Sequence, residues 1–375
     1  MKKPDTCQGC ALEKKGISFT LPDGSGKNGV MVIGEGPGKT EAMQGVPFVG
    51  KAGVQLNRSI SRQRLEREDF ILYNLIQCQP PNNWLDKAPW QRASIDQCRT
   101  HLHPVIQKFK PKVISLQGAL PMKELLGITG LLPSAKNNSP KRGYVYDVEI
   151  GGHKCLAVPT IHPSFVIQGN QNYAGVHVFD LSKAVKVAEN GEEPDDCNYI
   201  LTPAYNDVKN YIREAKQYAQ REGSILVSDI ETSDSATQDE SEYGTLVSSD
   251  ISCVSFSFKE GHAITIPFHA GTQLLIQELF DIQFDYLAFW NVDFDVPRLS
   301  SKGITFKANR IIDSMLAWHW LQSDVPKGLG FVSSFFCPFR EWKSLSESQP
   351  EFYSCRDADA TLRNTVAIKR LIQKT

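Results

Sequence analysis

The chain has 375 residues, more than one domain usually holds, and this length predicts two domains. Its 41 Lys and Arg residues are balanced by 42 Asp and Glu residues, and the net charge of -1 excludes a generally basic surface that coats nucleic acid. No apolar stretch approaches the ~20 residues that cross a bilayer, and the first residues lack the apolar core of a signal peptide. We therefore predict a cytoplasmic protein with no membrane partner.

Four cysteines in the first half stand out by their spacing. Cys7 and Cys10 form a Cys-x-x-Cys pair, and Cys78 and Cys98 follow. A protein without a secretion signal does not favour a disulfide framework. Two close and two distant thiolates can hold either zinc or a [4Fe-4S] cluster, and the spacing alone leaves both open.

An apolar run at residues 30–34 leads into the turn Gly-Glu-Gly-Pro-Gly and predicts a strand that ends at a glycine-rich loop. Such a loop lets backbone amides approach an anion or a flat ring. The motifs that continue are Gln-Gly-Val-Pro-Phe-Val-Gly-Lys-Ala-Gly at 44–53, Tyr-Asn-Leu-Ile-Gln-Cys-Gln-Pro-Pro-Asn-Asn at 73–83 and Thr-Ile-His-Pro-Ser-Phe at 160–165. With the four cysteines, they resemble the iron–sulfur uracil-DNA glycosylases, family 4 of that superfamily, from about residue 7 to 187.

The resemblance implies a role for five side chains. Phe48 would stack on a uracil flipped out of DNA, and Asn74 would hydrogen-bond the edge of the uracil. His162 would stabilise the negative charge that grows on the uracil oxygen. Glu35 or Glu41 would position or polarise the attacking water. Packing in the core remains the alternative for His162 and for Phe48.

The resemblance also implies a structural [4Fe-4S] cluster rather than zinc, held by Cys7, Cys10, Cys78 and Cys98. Three positions depart from the family pattern, because Ala42 replaces an acid and Gln79 and Gln168 replace arginines. Charge placement decides the rate of such a reaction more than pocket shape does. We therefore expect uracil binding with slow excision or none.

Residues 189–196 are acidic, contain Gly and Pro, and hold no apolar side chain, which is typical of an exposed linker. This predicts a glycosylase-like domain at 1–188 and a second domain at 197–375. Both should be α/β, the first a parallel-sheet domain with the cluster and the second a ribonuclease-H-like domain with a mixed sheet. The basic residues within 136–142 are either a local DNA-contacting patch or a merely solvated loop.

The second half predicts a short strand at 199–202, a helix at 204–221 and a buried strand that ends in Asp229-Ile-Glu231. Residues two apart on a strand point the same way, so both acids face one site. Close carboxylates repel one another, and a bound metal keeps them ionised. The sequence therefore predicts a metal site at the end of this strand.

Two further acidic elements follow, an Asn-x-x-x-Asp that ends at Asp295 and a Tyr-x-x-x-Asp formed by Tyr353 and Asp357. Together with Asp229 and Glu231 they resemble the three motifs of DEDDy-type 3′–5′ exonucleases, especially the proofreading domains of family A DNA polymerases. The resemblance implies two Mg²⁺ or Mn²⁺ ions bridged by Asp229, with Glu231 and Asp357 completing the ligands. Asp295 would act through water, and Tyr353 would orient the attacking water.

The two resemblances predict a metal-dependent 3′–5′ DNA exonuclease joined to a uracil-DNA glycosylase-like domain. DNA single strands and 3′ ends would be its substrates, and a family A DNA polymerase domain or subunit its partner, in bacterial or viral replication. One alternative is a bifunctional repair enzyme that also excises uracil. In the other, the glycosylase-like half serves only to bind DNA or to dock a polymerase.

Overall fold

The computed structural model describes residues 2–134, 140–232 and 250–374. They form two compact units, 1–193 and 194–375, each built on one mixed β-sheet. Within these described ranges, no helix combines the length and the apolar character that crossing a membrane requires.

The first unit contains a five-stranded sheet in the order β2-β1-β3-β5-β4. Its strands are β1 Val30–Gly34, β2 Ile71–Asn74, β3 Val113–Gln117, β4 Tyr146–Ile150 and β5 His153–Thr160. Four of them are parallel, and β4 is antiparallel to β5, so the prediction of a parallel sheet is wrong at this edge. The physical cause is the two-residue turn Gly151-Gly152, where both φ angles are positive, because such a turn returns the chain antiparallel.

Helices cover both faces of this sheet: α1 Lys39–Gln44, α2 Lys51–Ser61, α3 Gln91–Phe109, α4 Ala119–Leu126, α5 Pro163–Ile167 and α6 Ala174–Asn190. Val30 and Val32 of β1 pack with α2 and α6, whereas Met31 and Ile33 pack with α3 and α4. A parallel strand buried on both faces is apolar throughout, as β1 is. The carboxyl ends of the parallel strands therefore meet at one open edge, where ligands bind in such sheets.

The second unit contains a six-stranded sheet in the order β11-β10-β7-β8-β9-β6. Its strands are β6 Asn198–Ile200, β7 Ile225–Thr232, β8 Ile251–Lys259, β9 His262–Pro267, β10 Tyr286–Phe289 and β11 Arg310–Asp313. The central strand β7 is parallel to β10 and antiparallel to β8, and the predicted mixed sheet is confirmed. β7 is the strand that the Asp-x-Glu pattern predicts.

The helices of this unit are α7 Tyr205–Tyr218, α8 Gln273–Phe280, α9 Val292–Ser301, α10 Ser314–Leu321, α11 Leu329–Phe336 and α12 Pro350–Ile372. The long helix α12 packs across β7, β8 and β9. Ala358 and Leu362 of α12 pack against Ile225 and Val227 of β7. This packing fixes the first turns of α12 above the carboxyl end of β7.

Candidate active sites

The first candidate site lies at the carboxyl ends of β1 and β2, where Gly34 and Asn74 are register partners. A Cβ atom at Gly34 would lie 2.5 Å from Cζ of Phe48 and 2.6 Å from Oδ1 of Asn74. Both distances are far below van der Waals contact, so the aromatic ring and the amide converge on a position that only glycine can fill. Asn74 is buried, and a buried amide in this position can recognise a polar ring edge.

The turn that carries Phe48 is held by an arginine that sequence reasoning missed. Phe48 has a left-handed φ of 53°, which is costly for an aromatic residue. Arg67 donates from Nη1 to the Phe48 carbonyl at 2.8 Å and from Nη2 to the Pro47 carbonyl at 2.6 Å. Asp23 in turn accepts from Nε and Nη2 of Arg67 at 2.9 and 2.8 Å. The guanidinium therefore clamps the strained turn, and no local sequence pattern reports such contacts.

The two candidate acids have different surroundings. Glu41 accepts the backbone amides of Val49 at 3.1 Å and Gly50 at 2.7 Å on one oxygen, so it closes the turn that follows Phe48. Glu35 is half-buried, with Oε1 3.3 Å from a Cβ placed at Gly118, and burial raises its pKa to about 6. A carboxyl group with that pKa is ionised near neutral pH and can polarise a water. Glu35 is therefore the better candidate for the water, and Glu41 for holding the loop.

His162 lies beside the same pocket, at the first position before α5. Its Nδ1 accepts the backbone amide of Ser164 at 3.1 Å, and an amide can only donate, so the neutral ring carries its proton on Nε2. Burial, and then the charge of His177, lowers the pKa of His162 to about 4. The ring is stacked at 29° to that of Phe48 with centroids 6.3 Å apart. His162 is thus a neutral donor beside the aromatic ring.

Four of the five cysteines of the first unit converge on one location, namely Cys7, Cys10, Cys78 and Cys98. Burial raises the pKa of Cys78 to about 11 and that of Cys98 to about 12, and in both the neighbouring thiols raise it further. Gly16 leaves room there, since a Cβ on it would lie 2.8 Å from Sγ of Cys78. Four thiols at one location have the donor chemistry of either a tetrahedral zinc ion or a [4Fe-4S] cluster.

Of the basic residues within 136–142, the structure removes Arg142 as a candidate for DNA contact. Arg142 is fully buried, where Nε donates to Asp180 at 2.8 Å, so its guanidinium cannot reach a phosphate. Lys141 is only half-buried, and Lys136 lies outside the described residues. The solvated-loop alternative is also wrong for Arg142, because this side chain is buried against Asp180. The charge pattern of the segment could not indicate a partner 38 residues away.

The second candidate site lies at the end of β7. Oxygens of Asp229, Glu231 and Asp357 lie within 4.8 Å of one another. Asp295, on α9, is buried beside them, where Oδ1 accepts the backbone amide of Ile230 at 3.1 Å. Burial, and then the charges of the other three acids, raise the pKa of Asp229 well above its ordinary value. The structure thus brings together the four acids that the sequence singles out.

The acidic site has the donor chemistry of a hard divalent cation. Oδ2 of Asp229 is buried and has no hydrogen-bond partner in the described part of the chain. Burial, and then the charge of Asp357, raises the pKa of Glu231 to about 7. Clustered carboxylate oxygens with an unsatisfied buried atom fit Mg²⁺ or Mn²⁺ better than zinc.

Asp357 and Tyr353 share one face of α12, as their spacing predicts. Asp357 accepts Nε1 of Trp342 on Oδ1 and Nζ of Lys343 on Oδ2, both at 2.6 Å. The Lys343 ammonium also donates to the Tyr353 hydroxyl. Trp342 and Lys343 were missed because they belong to a loop before α12 whose contacts with the acids are tertiary.

The comparisons with known proteins bear on the first of these sites. The profile of the uracil DNA glycosylase superfamily matches residues 21–184, which lie within the first unit. Type-4 uracil-DNA glycosylases are similar to the chain. The enzyme of Pyrobaculum aerophilum is 33% identical over 43% of this chain and 80% of its own length. That of Saccharolobus solfataricus is 35% identical over 42% of this chain and 71% of its own length. The chain therefore belongs to the uracil DNA glycosylase superfamily, which confirms the first predicted resemblance at the level of the superfamily.

Proposed function

We propose that the first unit excises uracil from DNA, and that it does so slowly because Ala42, Gln79 and Gln168 stand where the resembled family carries charged side chains. The observation that carries this proposal is the convergence of Phe48 and Asn74 on Gly34, with His162 stacked beside the same ring. The name of the type-4 relatives supports it. A flat base fits against the Phe48 ring, and the Asn74 amide can both donate to and accept from a uracil edge.

The chemistry follows from the protonation states of two side chains. A flipped-out uracil leaves as an anion when its bond to the sugar breaks, and a fixed hydrogen-bond donor stabilises that charge. His162 is neutral and donates from Nε2 without losing a proton of its own. Glu35, ionised near neutral pH, polarises the water that adds to the sugar carbon.

The second unit, we propose, is a metal-dependent 3′–5′ exonuclease. This proposal rests on the three carboxylates within 4.8 Å and on the unpartnered Oδ2 of Asp229. Asp229, Glu231 and Asp357 would hold two divalent ions, which supply charge neutralisation and an activated water in phosphodiester hydrolysis. Asp295 buttresses the backbone of β7, and Tyr353 is placed to orient the water.

A [4Fe-4S] cluster held by Cys7, Cys10, Cys78 and Cys98 is likewise a proposal, supported by the convergence of their thiols and by the resemblance to the iron–sulfur family. It would tie the N-terminal residues to the segment between Cys78 and Cys98. The domain boundaries at 188 and 197, the polymerase partner, and the cytoplasmic location stay predictions from the sequence.

Uracil recognition is tested by Asn74→Asp, which replaces an amide donor with a carboxylate that repels the uracil oxygen. We expect excision of uracil to fall at least ~10²-fold, since a buried unpaired group costs several kcal/mol. Asn82→Asp makes the same chemical change at an exposed position and should leave excision unchanged. Equal activity in the two variants would remove Asn74 from the site.

The nuclease is tested by the double variant Asp229→Ala and Glu231→Ala. Removing two of three metal ligands should abolish Mn²⁺-dependent shortening of a 5′-labelled strand. Glu222→Ala removes an exposed acid as a control and should shorten the strand at the wild-type rate. Undiminished shortening by the double variant would show that the activity lies elsewhere.

A further inference from the structure

Helix α2 and the residue that follows it, whose backbone is still helical, expose three basic side chains along one line. Lys51, Arg58 and Arg62 are all exposed, and their spacing of seven and four residues returns each to the same helix face. They span about 16 Å along the helix axis. Their side chains form no hydrogen bond or ion pair with any residue that the structure describes. We call these three residues the α2 basic stripe.

A groove of about 520 Å³ runs beside this stripe, lined by Val54, Asn57 and Ser61 together with Arg58 and Arg62. The groove is open to solvent along the helix. Two of its five lining residues are basic, so a polyanion that lies along this open surface meets positive charge.

The position of α2 relates the stripe to the uracil pocket. The helix begins immediately after the turn of Phe48, with Gly50 as its first flanking residue. It packs against α5, the helix that follows His162. Phe48 therefore lies in the turn that leads into α2, and His162 lies at the start of α5, which packs against α2. The stripe therefore begins, at Lys51, three residues after Phe48.

We propose that the α2 basic stripe binds the phosphates of the DNA strand whose uracil enters the pocket. One strand carries a phosphate every ~3.4 Å along the duplex axis, so the stripe can face about five of them. Gln168 ends α5 at a position where the resembled family carries an arginine, and the stripe supplies cations on the neighbouring helix. Phosphate contacts position DNA and carry no base sequence, so the stripe adds affinity and no preference for uracil. This proposal rests on the proposed uracil excision.

The test is the salt dependence of DNA binding by the full chain. We compare the wild type with the triple variant Lys51→Gln, Arg58→Gln and Arg62→Gln, using a fluorescent single strand with one uracil and KCl from about 50 to about 200 mM. EDTA keeps the proposed nuclease silent. The matched control removes three exposed lysines on the α3 and α4 side of the sheet, through Lys108→Gln, Lys110→Asn and Lys123→Gln.

Each lost contact to a single strand lowers the slope of log K against log salt by ~0.7, so the triple variant should lose about two units of slope. Its affinity should then change ~20-fold less than that of the wild type over this salt range. The ratio of uracil to thymine affinity should stay the same. An unchanged slope in the triple variant, or an equal loss of slope in the control variant, overturns the proposal that the α2 basic stripe binds phosphates. A wild-type chain without preference for uracil overturns the proposed excision instead, which keeps the two failures distinguishable.

Discussion

Gly34→Ala is the most demanding perturbation of the uracil pocket, because it adds one methyl group at the point where ring and amide meet. The new Cβ would lie 2.5 Å from Cζ of Phe48 and 2.6 Å from Oδ1 of Asn74. Ordinary contact begins at 3.4 Å, so the Phe48 ring must move by about 0.9 Å and the Asn74 oxygen by about 0.8 Å. The variant therefore displaces both recognition groups while removing neither.

A displacement of that size at a reacting centre costs about 10²-fold in rate. We expect uracil excision by Gly34→Ala to fall by that factor, with little change in melting temperature because the displaced atoms are side-chain ends. The assay is the appearance of alkali-labile sites in a single strand with one uracil, in the presence of EDTA.

Gly175→Ala is the matched control, because a Cβ there meets nothing within 4 Å and the residue lies in the first turn of α6. It should excise uracil as the wild type does. Wild-type excision by Gly34→Ala would refute the account, since it would mean that Phe48 and Asn74 do not meet the base over this glycine.

Three further outcomes follow from the two sites. The pKa of Glu35 is raised to about 6, and its ionised form polarises the water. The excision rate should therefore rise about tenfold per pH unit up to about pH 6 and then level off. Glu35→Gln should flatten this profile. Arg67→Met should lower excision roughly tenfold by loosening the Phe48 turn, with the exposed Arg64→Met unaffected, and equal rates would contradict the clamp. Because the pKa of Glu231 is raised to about 7, Mn²⁺ binding should release a proton, and Mn²⁺ affinity should fall about tenfold per pH unit below about pH 7. Calorimetry in two buffers of different ionisation enthalpy measures this proton release, and binding without it would contradict the prediction.

The sequence predicted the site residues that belong to local patterns. Asp229 and Glu231 are two apart on a strand, and Tyr353 and Asp357 are four apart on a helix, so their common faces follow from backbone geometry alone. The prediction that they meet across the sheet came from the resemblance, since no local rule brings α12 onto β7.

The residues that sequence reasoning missed act through tertiary contacts. Arg67 clamps a turn nineteen residues earlier in the chain, and Lys343 reaches Asp357 from a preceding loop. Arg142 shows the opposite error, because a basic cluster looked solvent-facing although a buried partner lay at Asp180. Charge patterns report the composition of a segment, and its burial depends on what packs over it.

Excision of uracil by the intact chain tests the central claim most directly. Protein purified without oxygen is incubated in EDTA with a single strand that holds one uracil, and free uracil is measured by chromatography. The account predicts that uracil is released, that a thymine strand releases no base, and that His162→Ala lowers the rate by at least ~10²-fold, the cost of removing one donor to a developing negative charge. A wild-type chain that binds the strand and releases no uracil, or release that is insensitive to His162→Ala, would contradict it.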